Sequence, residues 1–138
     1  MESREVSVKT GERPAVVDLS DAVASFLAEA ADGADGLLHI HVPHATCGVV
    51  IMELRSGSEA DLLDALERLL PHEEGRWRHR HGSPGHGADH VLPLLVGADV
   101  SVPVLAGRVA LGTWQSIALV DPNRDNPTRR VRLSFLPG

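Results

Sequence analysis

The sequence predicts one α+β domain, mostly antiparallel β-sheet in a sandwich-like arrangement, with two main helices. Three observations lead there. Strand-like segments outnumber helical ones, the two helical stripes lie far apart in the chain, and the last strands are joined by short turns rather than by helical crossovers. At 138 residues the chain has the length of a single domain able to bury its own core, so residues 1–138 are read as one unit.

The elements follow in order. Glu5-Val6-Ser7-Val8-Lys9 alternates polar and apolar residues, and Ala15-Val16-Val17 follows a Gly11/Pro14 break, which predicts two short strands or one bent hairpin. Val23, Phe26, Leu27 and Ala30 recur at helical spacing, with Ser20 as the expected N-cap and Gly33 as the stop. Leu38, Ile40 and Val42 alternate with His39 and His41, giving a strand with one apolar face. Cys47 to Met52 is short, apolar and rich in branched residues, a strand expected to be buried on both faces and to end at Glu53.

Ser58 and Asp61 resemble a capping box ahead of the stripe Leu62, Leu63, Leu66, Leu69 and Leu70, which Pro71 ends. From Pro71 to His90 no period is visible, yet the segment carries five of the eight histidines among its glycines. A short helical turn is expected between His90 and Val96, with Pro93 in its first turn. Strands at Val100–Val104, Arg108–Leu111, Trp114–Val120 and Arg130–Leu136 complete the chain as an expected β-meander.

Composition narrows the function. Hydrophobic residues make up 43% and charged residues 23%, and no apolar run is long enough to cross a bilayer. MESREVSVKT has no apolar stretch behind it, so a cytoplasmic protein is expected. The net charge of −6 repels phosphate backbones, which argues against a nucleic-acid partner. One cysteine, Cys47, can form neither an internal disulfide nor a multi-thiolate metal site, and its apolar strand disfavours a thiolate.

Histidine carries the functional signal, because its charge changes near neutral pH and its nitrogens ligate metal. His39 and His41 share a strand face that tolerates any polar residue, and they are left out of the site. Arg76-Trp77-Arg78-His79-Arg80-His81 reads equally well as a phosphate-holding segment or as a solvated basic loop.

Three segments together decide more. His44-Ala45-Thr46-Cys47-Gly48-Val49-Val50-Ile51-Met52-Glu53 is followed by Trp77-Arg78-His79, then by His90 with Gly97 and Ser101-Val102-Pro103-Val104, and Gly107-Arg108 leads to Gly112-Thr113-Trp114-Gln115. In order and spacing these segments resemble the YjbQ family from Leu37 onward, the Gly-Thr-Trp-Gln stretch being the most specific part. The resemblance implies a compact α+β homotrimer with a secondary thiamine-phosphate synthase activity, which joins a pyrimidine pyrophosphate to a thiazole phosphate.

It also implies a site. His44, Glu53, Asp61, His79, His90 and Gln115 would be catalytic, and Thr46, Arg78, Arg80 and Trp114 would bind the phosphorylated small-molecule substrate. His44, His79 and His90 are the expected ligands of a divalent cation, Zn or Mg, unless the imidazoles work as acid and base without metal. Met52, Leu92 and Asp121-Pro122-Asn123-Arg124 depart from the family pattern. Two alternatives therefore stand beside the transferase: a metal-binding hydrolase using the same residues, and a ligand-binding trimer without catalysis.

Overall fold

A computed structural model describes all of residues 1–138. Eight strands form two antiparallel sheets: β1 (Glu2–Lys9), β2 (Ala15–Asp18), β3 (Gly36–His41), β4 (Gly48–Met52), β5 (Asp99–Leu105), β6 (Arg108–Val109), β7 (Ser116–Asp121) and β8 (Thr128–Pro137). The larger sheet runs β1-β8-β3-β5-β6 and the smaller one β2-β7-β4. The α-helices are α1 (Ser20–Ala30), α2 (Ser58–Leu69) and α3 (Leu92–Val96). There are thus three where two main ones were expected, the third a five-residue segment with Pro93 in its first turn.

The sheets meet through one apolar layer. Leu38 and Ile40 of β3, Val102 and Val104 of β5, and Val131, Leu133 and Phe135 of β8 face Val49, Ile117 and Leu119 of the smaller sheet, with Val23, Phe26 and Leu27 of α1 closing the cluster. Burying each such side chain contributes on the order of 1.5–3 kcal/mol, which is why period-2 alternation locates this layer in the sequence. Strand β3 shows it plainly, with Leu38 and Ile40 inaccessible to solvent while His39 and His41 turn outward.

Of the two N-terminal alternatives, separate strands hold and the hairpin does not, because β1 pairs with β8 and β2 with β7, in different sheets. The C-terminal half departs from the sequence reading and is not a meander. β5 and β6 form a hairpin, but β7 crosses to the smaller sheet between β2 and β4, and β8 returns to the larger one between β1 and β3. Ile117 to Asp121 is buried without interruption, the pattern of a central strand covered on both faces rather than of a meander strand with one wet face.

The helix starts also differ. The Ser20 N–H donates to Asp18 Oδ1 at 2.8 Å, so Asp18, not Ser20, provides the acceptor at the start of α1. No Ser58–Asp61 box forms; α2 follows Gly57 in the left-handed region, and Glu59 instead accepts from the Arg55 N–H at 2.7 Å. Leu66 of helix α2 and Leu70 just past its end pack onto Ala88, Leu92 and Val120, a second, smaller apolar cluster at the base of the histidine-bearing segment.

Candidate functional site

The segment between α2 and α3 is irregular but tightly pinned. Trp77 packs against the Leu66/Leu70/Leu92 cluster and its Nε1–H donates to the Pro71 carbonyl at 2.9 Å. Around it the chain alternates, with Arg76, Arg78 and Arg80 exposed while Trp77 and His79 are half-buried. A 3-10 turn, His86–Ala88, follows. Its Gly87 is required there: a Cβ at that position would collide with Trp77 and crowd His79.

This turn places His86, Asp89 and His90 on one face, three and four residues apart. Four imidazoles gather there. The His79 ring centroid lies 3.9 Å from that of His81 and 4.0 Å from that of His90, and the His86 and His90 rings meet edge-on at 4.9 Å. The Nε2 atoms of His86 and His90 are 3.2 Å apart, while the buried Nδ1 of His79 has no hydrogen-bond partner. Desolvation, followed by the neighbouring imidazoles, lowers the pKa of both His79 and His90, so both are bases rather than cations at neutral pH. Next to His79 opens a cleft of ≈ 320 Å³ lined by Trp77, Arg80, Ser83 and Gly85.

Behind the imidazoles stands a carboxylate. Asp89 is 3% exposed; its Oδ1 accepts from His72 Nε2 at 2.6 Å and its Oδ2 lies 3.2 Å from His86 Nδ1. His72 Nδ1 also meets Glu67 Oε2 at 2.6 Å. Desolvation lowers the His72 pKa, but its hydrogen bonds to Glu67 and Asp89 outweigh that and raise it overall. Asp125 Oδ2 accepts from the Ser83 hydroxyl at 3.1 Å and lies 3.5 Å from His86 Nδ1.

A saturated polar group adjoins this cluster. Arg129 donates from Nε and Nη2 to the two carboxylate oxygens of Asp121 at 2.7 and 2.9 Å, Asn123 N–H donates to Asp121 Oδ1, and Asn123 Nδ2 donates to Thr46 Oγ1 at 3.0 Å. The charge of Arg129 reaches both Asp89 and His44.

The expected residues therefore fall into separate places within one chain. His79 and His90 come together, with the exposed Arg78 and Arg80 beside them in sequence. His44 lies apart from the ring cluster: its Nε2 accepts from the Arg130 N–H at 2.9 Å, and desolvation, then the charges of Arg129 and Arg130, lower its pKa. Thr46 is buried against Asn123, Glu53 and Asp61 are exposed, Gln115 Oε1 closes a turn by accepting from the Gly112 N–H at 2.8 Å, and Trp114 is 74% exposed.

The metal expectation is overturned. No group of three or more His, Cys, Asp or Glu side chains is placed to hold an ion. His44 is engaged elsewhere, the His79 and His90 rings stack at 36° rather than aim at a shared point, and Asp89 is occupied by His72 and His86. The Zn or Mg cofactor, the ligand roles of His44, His79 and His90, and the metal-binding hydrolase fall together. Sequence reasoning missed His72, His86, Asp89 and Asp125. The His86-x-x-Asp89-His90 spacing was the available signal, since a single helical turn brings those positions to one face.

Comparison with known proteins agrees with this geometry's family setting. Residues 4–138 match the family described as "UPF0047 protein YjbQ-like". The chain is 55% identical over 138 residues to UPF0047 protein Rv2556c of Mycobacterium tuberculosis H37Rv, covering 100% of both, and 58% identical over 126 residues to UPF0047 protein Mb2586c of Mycobacterium bovis, covering 91% of this chain and 95% of that one. Among solved structures, hypothetical protein APE1520 from Aeropyrum pernix K1 superposes with a TM-score of 0.87 at 32% identity over 100% of both chains. A YbjQ-like protein of unknown function from Sulfolobus solfataricus P2 gives 0.88 at 26% identity, over 99% of this chain and 97% of that one. The chain belongs to the YjbQ/UPF0047 family.

Proposed function

We propose that this is a cytoplasmic transferase with thiamine-phosphate synthase-like activity, joining a pyrimidine pyrophosphate to a thiazole phosphate. One observation carries the reading: His79, a neutral base packed on the equally neutral His90, lines the same cleft as Arg80, with the exposed Arg78 next to it in the chain. In this reaction the pyrophosphate departs with the electron pair of its C–O bond, and the thiazole nitrogen supplies the pair for the new C–N bond. The protein must stabilise the leaving charge, which guanidinium groups meet through charge-assisted hydrogen bonds, and His90, as an uncharged base, would accept a proton from an N–H of the pyrimidine as positive charge develops on that ring and return it once the C–N bond has formed.

His44, Glu53, Asp61 and Gln115 keep their proposed catalytic roles, and Thr46 and Trp114 their substrate-binding roles, by family resemblance. The proposal includes a homotrimer. Trp114 is 74% exposed and Leu94 84% exposed, large apolar side chains that an assembly would cover.

Incubation with both phosphorylated precursors tests the reading. Wild-type protein is expected to form thiamine phosphate, and His90→Ala to lower turnover by about 10²- to 10⁴-fold, the usual contribution of a positioned acid–base group, with the unfolding midpoint near that of wild type. Absence of product from wild type, or full turnover in the variant, defeats it. The non-catalytic trimer is the second reading, favoured by His44 Nε2 and Thr46 Oγ1 already being engaged by Arg130 and Asn123. A thermal shift with either precursor but no turnover would select it.

A further inference from the structure

We infer that Asp89 is the positioning residue of the histidine cluster: it fixes which nitrogen of His86, and through His86 which nitrogen of His90, carries the proton. The inference deepens the transferase reading and rests on it for its catalytic consequence, though not for the proton positions themselves.

The argument is one of donors and acceptors. An ionised carboxylate only accepts, so each nitrogen facing one must bear a proton. Asp89 Oδ1 faces His72 Nε2 at 2.6 Å and Oδ2 faces His86 Nδ1 at 3.2 Å. His72 Nδ1 faces a second carboxylate, Glu67, at 2.6 Å. His72 is therefore protonated on both nitrogens, a cation held between two anions, which accords with the raised pKa its partners give it.

His86 is fixed differently. At a pH where the ring holds a single proton, Nδ1–H directed to Asp89 leaves Nε2 bare, and that atom lies 3.2 Å from His90 Nε2. Two bare nitrogens would repel at that distance, so His90 carries its proton on Nε2 and donates it to His86. His90 Nδ1 is then left as the free base. The chain of contacts spans two sides of the segment, since Asp89 and His72 also line a separate cleft of ≈ 290 Å³ with Glu67 and Arg124, away from His79. Asp125 Oδ2, 3.5 Å from His86 Nδ1, reinforces the same proton position.

Burial makes Asp89 able to do this. At 3% exposure its oxygens are shielded from competing water, and the helical turn His86–Ala88 that precedes it leaves little freedom for a different pairing. A second-rank carboxylate that orients an imidazole is a recurring way to set tautomers.

The test is long-range 1H–15N correlation spectroscopy on full-length protein labelled at histidine nitrogens, at a pH about one unit above the ordinary imidazole value. Wild type is expected to show His86 protonated at Nδ1 and His90 at Nε2, with His72 holding its second proton to a higher pH than an unpaired imidazole. Asp89→Asn, which keeps the outline but offers one acceptor and one donor, is expected to convert His86 and His90 to tautomer mixtures. In the precursor assay the same variant is expected to lose about 10²-fold in kcat with KM unchanged. His90 protonated at Nδ1 in wild type overturns the inference, as does an Asp89→Asn spectrum identical to wild type. If Asp89→Asn does not fold, the wild-type spectrum decides alone. A wild type without turnover defeats the transferase reading and leaves the tautomer result standing.

Discussion

Two polar clusters sit side by side in this molecule and are built on opposite principles. In the first, Asp121 and Arg129, 0% and 2% exposed, satisfy each other twice, and Asn123 donates its N–H to Asp121 and its Nδ2 to Thr46. In the second, His79, His81, His86 and His90 crowd together with one buried carboxylate, and His79 Nδ1 has no partner at all. A saturated network rigidifies the fold, whereas an under-satisfied one stays responsive to protons and ligands. The first holds the 122–128 turn against β8; the second is where chemistry can happen.

The largest expected effect breaks the first cluster. Arg129→Met keeps most of the side-chain stem but strands the Asp121 carboxylate in the interior, and removing one partner of a buried pair costs about 3–5 kcal/mol. Urea unfolding measures it. A loss below about 1 kcal/mol would mean that the pair is dispensable, and the contrast with the histidine cluster would dissolve.

The contrast also explains what could be read from the chain beforehand. The apolar layer was legible because Leu38, Ile40 and Val42, or Leu62, Leu66 and Leu70, repeat at the period of their element. The crossing of β7 into the second sheet was not, since a strand buried on both faces has the same composition in either sheet. At the site, His79 and His90 were found through family resemblance, and their meeting at 4.0 Å depends on a segment with no periodicity to read. His86 and Asp89 were passed over because a three-residue 3-10 turn leaves almost no pattern, although their spacing from His90 was in plain view. The metal expectation failed for a related reason: counting histidines says nothing about whether their nitrogens converge.

A pH titration of stability sharpens the comparison at intermediate cost. His44, His79 and His90 have lowered pKa values, chiefly by desolvation, so the folded state resists taking their protons. Their contribution is whole above the ordinary value of 6.5 and is lost as the pH falls below it through the folded values. His72 runs the other way: its pKa is raised, so its contribution is whole below 6.5 and is lost as the pH rises through the raised value. Histidine thus places the stability maximum near 6.5, with Tm falling on each side. His72→Gln is expected to flatten the alkaline limb alone. Calorimetry showing that this variant alters the acid limb instead would reverse the assignment of charged and neutral imidazoles.

The smallest effect concerns the outer end of the chain of contacts. Glu67 is 55% exposed at its side chain, so its pairing with His72 is screened by water and Glu67→Gln is expected to cost about 1 kcal/mol or less. The glutamine oxygen can still accept from His72 Nδ1, and the His72 Nε2 bond to Asp89 is untouched. His86 should therefore keep its Nδ1 proton, while His72 loses part of its raised pKa because one neighbouring anion has gone. Chemical denaturation and histidine NMR titration on the same sample separate these outcomes. A loss as large as that of Arg129→Met would show Glu67 and His72 to be a structural clamp like Asp121 and Arg129, and would move the boundary between the saturated and the responsive cluster to the far side of Asp89.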